Sequence, residues 1–164
     1  MLQLNQFTKL YFASLHLRSG SMRIPVFWDT SALVPLCVRQ GITPRAIALY
    51  KIHDAAVWWA APVEIASALA RLVRMKQLDS DDWTKARKLA KRLADSWSVI
   101  QPSDVLRAKS IQLVERYDLR AADSFQLAAA LEWCENAPQG RVFLTTDQKL
   151  REAALLNGFD AKQM

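Results

Sequence analysis

From Met22 onward the chain alternates short apolar runs with longer helical stretches, and no other feature constrains the fold as strongly. The strand-like runs are Ile24–Trp28, Ala56–Ala60, Ser98–Gln101 and Arg141–Thr145, with a weaker fifth near Phe159. As a set they are rich in Val, Phe and Trp and apolar on both faces, as strands buried in a parallel sheet are. Helical stretches fill the gaps: Ser31–Val38, Pro44–Ile52, Pro62–Gln77, Asp81–Ser96, Ser103–Tyr117, Ala122–Asn136 and Gln148–Asn157. Strands separated by helices build βαβ units, so the expectation is one α/β domain with a parallel sheet covered on both faces.

Composition agrees with this. A chain of 164 residues can bury a real core, and its four glycines and six prolines favour a helix-rich fold over an all-β one. No apolar run approaches the roughly 20 residues that span a bilayer. Cys37 and Cys134 lie far apart in apolar helical contexts. That argues against a metal pair or a disulfide framework and makes a reduced, cytosolic protein the default. The net charge of +6 suggests a polyanionic partner without requiring one. Residues 1–21 read differently: they lack an early basic region and a small-residue cleavage site, and they end in Ser-Gly-Ser. Either Met22 is the natural start or residues 1–21 form a loose extension outside a core of residues 22–164.

Several helix starts carry signals of their own. Pro62 suits a first helical turn, where its missing N–H costs nothing. Ser80 can cap the next helix, with Asp81 and Asp82 opposing its positive end. That helix places Trp83, Ala86, Leu89, Ala90 and Leu93 on one side and Lys85, Arg87, Lys88, Lys91 and Arg92 on the other. The basic side suits either solvent or a phosphate backbone.

Four acids stand out against this frame. Asp29 interrupts "IPVFWDTSALV" where the first strand hands over to a helix, and Glu64 lies just inside the helix after "VWWAAP". Asp123 opens "ADSFQLAAALEW", and Asp147 follows "RVFLTT". Each lies at a strand's carboxyl end or in a helix's first turn, the edge at which open parallel sheets bind ligands. Taken singly, each could serve as a helix cap. Taken together they would repel, by about 4 kcal/mol per pair at 4 Å and an effective dielectric near 20. Neutralisation by protons or cations is then needed. Without Cys or His nearby, an all-oxygen site suits Mg²⁺ or Mn²⁺ rather than zinc, and such ions support phosphodiester hydrolysis. His16 and His53 lie outside these motifs, and solvated or packing roles suit both.

These blocks resemble those of the PIN-domain ribonucleases, most closely the VapC toxins of bacterial toxin–antitoxin pairs. "DTSALV" at 29–34 is similar to the opening Asp-x-Ser motif, and "EIASALARL" at 64–72 to the Glu-containing helix. "RAADSFQLAAAL" at 120–131 is similar to the block of the third acid, and "FLTTDQKLREAA" at 143–154 to the Thr-x-Asp block of the fourth. The resemblance implies a three-layer α/β/α sandwich on a parallel sheet of four to five strands. It implies that Asp29, Glu64, Asp123 and Asp147 bind one or two Mg²⁺ or Mn²⁺ ions and that Ser31 and Thr145 orient the carboxylates. It further implies an RNA substrate, a homodimer, and a small VapB-like antitoxin that blocks the acidic site.

Other residues leave alternatives open. Glu64, Ser67, Arg71 and Arg74 form a polar stripe on one helix, so Arg71 and Arg74 face either RNA phosphates or solvent. Arg120, before the third acid, either neutralises the cluster or binds phosphate. Core or dimer packing accounts for the tryptophans better than base stacking does. Two other readings of the whole chain stand beside a toxin: an RNA-processing nuclease of the same type, and a non-catalytic RNA-binding module.

Overall fold

The computed structural model describes residues 23–163. The expectations for residues 1–21, His16 included, lie outside the described residues. Five strands form one sheet: β1 (Ile24–Trp28), β2 (His53–Trp58), β3 (Ser98–Ile100), β4 (Val142–Thr145) and β5 (Asp160–Gln163). Their order is β3-β2-β1-β4-β5, and every pairing is parallel. Seven helices connect them: α1 (Thr30–Cys37), α2 (Thr43–Ile52), α3 (Ala61–Arg74), α4 (Ser80–Ala94), α5 (Asp104–Arg116), α6 (Ala121–Trp133) and α7 (Gln148–Leu156).

The period of two along the strands divides the core into two layers. Val26 and Trp28 of β1, Val57 of β2 and Leu144 of β4 pack against α1 to α4. Phe27, Ala56, Trp58 and Phe143 point to the opposite face and pack against α5 to α7. Phe27 and Phe143 stack at 5.3 Å between ring centres, across the β1–β4 pair. The sheet is thus covered on both faces, and the strands at its centre have no solvent side.

Three local expectations change. β2 runs from His53 to Trp58, not from Ala56 to Ala60, because its ladder with β1 begins at the Ile24–His53 pair. The polar His53 and Asp54 hide that start, and Ala60 is already the cap of α3. β3 is an edge strand with Ser98 and Val99 exposed, not a buried one. Asp79, not Ser80, caps α4: its side chain accepts the Asp82 N–H at 2.7 Å, and Ser80 is the first helical residue. Trp28, Trp58 and Trp97 are buried, whereas Trp59 is exposed. The weak fifth strand exists as β5, the edge beyond β4.

Candidate active site

The chain leaves β1 on one side to reach β2 and returns on the other side as β4, so the strand order reverses between β1 and β4. The carboxyl ends of these two strands flank the crevice where ligands bind in open α/β sheets. Asp29 follows β1 directly, and its N–H donates to Leu144 O of β4 at 2.9 Å. One carboxylate oxygen, Oδ2, accepts from the Ser31 N–H at 3.2 Å, from Thr145 Oγ1 at 2.8 Å, and from Ser31 Oγ. The hydroxyls are held in turn: Thr146 N–H donates to Ser31 Oγ at 2.8 Å and Asp147 N–H to Thr145 Oγ1 at 3.0 Å. Ser31 and Thr145 therefore fix Asp29, and the backbone after β4 fixes them.

Asp29 is only 4% exposed. Burial pushes its pKa up to about 6, with the nearby Glu64 charge adding to the rise and the Ser31 and Thr145 hydrogen bonds opposing it. Glu64, in the first turn of α3, is half-buried, and its Oε2 accepts from Gln126 Nε2 at 3.0 Å. Asp123, in the first turn of α6, accepts the Arg120 N–H through Oδ2 at 3.3 Å. Desolvation and then the Asp147 charge raise the Asp123 pKa, while the Arg120 N–H and guanidinium lower it. Asp147 caps α7, its Oδ1 accepting the Leu150 N–H at 2.8 Å. Asp123 and Asp147 line a cleft of about 600 Å³ together with Arg120 and Lys149.

The Glu64 charge therefore reaches Asp29 and the Asp147 charge reaches Asp123. Among the described residues, no three His, Cys, Asp or Glu side chains gather closely enough to hold a metal ion between them. Capping and ligation are nevertheless compatible here. Each carboxylate uses one oxygen for its protein contacts, and the other oxygen accepts no hydrogen bond from the described residues. None of the four is in an ion pair with a described residue. Carboxylate oxygens that accept no hydrogen bond from the described residues fit a hard divalent cation. A site too open to be a closed cage fits Mg²⁺, which keeps several waters and binds through few carboxylates plus substrate phosphates.

Arg71 and Arg74 are exposed on the last turn of α3. At 1.5 Å per residue they lie about 10 and 15 Å along the helix from Glu64, too far to join the acids. Arg120 is exposed at the rim of the cleft. Lys149, on the same rim, donates to Asp118 Oδ2, which raises its own pKa and lowers that of Asp118.

Sequence reasoning missed Gln126. It is 1% exposed, and its Nε2 donates both to Glu64 Oε2 and to Thr30 Oγ1, the latter at 2.7 Å. Its Oε1 is buried and has no hydrogen-bond partner among the described residues. The available signal was an amide in an otherwise apolar stretch, one helical turn after Asp123.

Fold and strand order together define a PIN-like α/β domain. A crystal structure of FitAcB from Neisseria gonorrhoeae is similar, with a TM-score of 0.53 and 15% sequence identity over 82% of this chain and 96% of that chain. At that identity the likeness is one of fold. No protein-family model matches the sequence, and no curated protein matches it either.

Proposed function

We propose that this chain is a metal-dependent endoribonuclease and the toxin of a toxin–antitoxin pair. What supports the nuclease reading is that Asp29 and Asp147 follow β1 and β4 at the switch, with Glu64 beside Asp29 and Asp123 beside Asp147, each acid using only one oxygen for hydrogen bonds with the described residues. Asp29, Glu64, Asp123 and Asp147 would hold one or two Mg²⁺ or Mn²⁺ ions. A bound ion supplies Lewis-acid polarisation of the phosphodiester and a water of lowered pKa. The remaining work falls to the protein. Ser31 and Thr145 keep the Asp29 carboxylate turned in one direction. Arg120 and Lys149, the latter paired with Asp118, line the cleft and would offer cationic groups to a phosphate backbone. The net charge of +6 draws in an RNA backbone.

The toxin role, the VapB-like antitoxin and the homodimer rest on the sequence resemblance, and a cytoplasmic location on the cysteine usage. No helix among the described residues is long and apolar enough to cross a membrane. The decisive experiment incubates the purified protein with single-stranded RNA and Mg²⁺ or Mn²⁺. Cleavage that stops with EDTA and is absent in Asp29→Asn is expected. RNA binding without cleavage under any metal would favour the binding-module reading. Cleavage without growth arrest on expression of the chain alone would favour the RNA-processing one.

A further inference from the structure

We propose that Gln126 is a positioning residue that sets the spacing of the acids by tying together the three elements that carry Asp29, Glu64 and Asp123; this rests on the metal-site reading above. Its single NH₂ group donates to Thr30 Oγ1 at 2.7 Å and to Glu64 Oε2 at 3.0 Å. Thr30 opens α1 directly after Asp29, Glu64 lies in the first turn of α3, and Gln126 itself follows Asp123 by one turn on α6. Two packing layers meet at this amide: α1 and α3 cover one face of the sheet and α6 the other. One side chain therefore bridges the layers at the edge where the acids stand.

The orientation of the amide is not free. Only its NH₂ end can satisfy a carboxylate, which accepts and does not donate. Turning that end to Glu64 and Thr30 leaves Oε1 buried with no partner among the described residues. A Leu or Met would fill the same space without an unpaired oxygen, so packing alone does not account for a glutamine here. Holding Glu64 Oε2 leaves Oε1 of Glu64 as the oxygen available to a cation, and the bond to Thr30 keeps that oxygen in register with Asp29.

The test measures Mn²⁺ affinity by electron paramagnetic resonance or calorimetry, beside the melting temperature of the metal-free protein. Gln126→Met keeps the volume and removes the donor. Hydrogen-bond partners of metal ligands set affinity by about 10–100-fold, so a weakening of about 10-fold or more is expected, with little change in the metal-free melting temperature. Gln126→His, which can restore an N–H donor, should recover part of the loss. Equal Mn²⁺ affinity in wild type and Gln126→Met would overturn the positioning role while leaving the metal site intact. A wild-type protein that binds no Mn²⁺ would instead overturn the metal-site reading and this inference with it. Should Gln126→Met not fold, Thr30→Val decides: it removes the far anchor of the amide, and unchanged Mn²⁺ affinity there would refute the bridge.

Discussion

Asp29 combines two demands that conflict. Its carboxylate is buried behind the end of β1, yet the proposed chemistry needs it ionised. Between its ordinary pKa of 3.8 and the folded value of about 6, the folded state binds more protons than the unfolded one. Its contribution to stability is therefore fully present below pH 3.8 and is lost as pH rises through about 6. Above that range the ionised group costs about 3 kcal/mol, since each pKa unit is worth 1.36 kcal/mol. Asp29→Asn should accordingly stabilise the protein by up to about 3 kcal/mol at pH 8 and by little at pH 3, measured by urea unfolding at both values. The same substitution should abolish the rise in melting temperature that Mn²⁺ gives the wild type at pH 8, because a ligand stabilises only the state that binds it. Thr145→Val removes one donor from Asp29 Oδ2 and should weaken Mn²⁺ binding by about 10-fold without unfolding the protein.

At the scale of elements, each acid's position follows from how a strand ends and a helix begins. Asp29 and Asp147 accept N–H groups at the starts of α1 and α7, so the residues that terminate β1 and β4 also start the next helix. This double use explains why capping and ligation both fitted the sequence: capping occupies one oxygen of the carboxylate, and the proposed ligation would use the other. The α4 cap shows the limit of such reading. Asp79 and Ser80 are adjacent residues of capping type, and only the backbone decides between them; Asp79 has the extended conformation and Ser80 is already helical. Asp79→Ala should cost about 1 kcal/mol and Ser80→Ala much less, a difference that thermal unfolding resolves. The contacts of Gln126 were not legible in the sequence for a related reason. Its meaning depends on Thr30 and Glu64, which are remote in sequence and meet it only when the layers close.

For the molecule as a whole, the sheet sets both stability and the location of the site. Phe143, with no exposed surface, lies at the centre of one layer against Phe27 and Phe159, so Phe143→Ala should cost about 3–5 kcal/mol in denaturant unfolding. Deleting residues 1–21 should leave the melting temperature nearly unchanged if the core is residues 22–164; a large drop would assign those residues to it. RNA binding driven by a net charge of +6 should weaken steeply with salt, with a log–log slope of about −0.7 for each single-stranded phosphate neutralised.

The sequence by itself determined the class of fold and the candidate acids. Buried parallel strands must be apolar on both faces and joined by helices, so β1 and β4 were legible almost to the residue. Asp29 was legible because a carboxylate at the end of such a strand needs a reason to be there. The strand order, the edge position of β3 and the polar start of β2 belong to the tertiary structure. All of these depend on which strand lies beside which, and local periodicity records a residue's face but not its neighbour. Hydrogen bonds between remote residues, such as those of Thr145 to Asp29 and Gln126 to Glu64, come into being only when the sheet is assembled and both helical layers close over it.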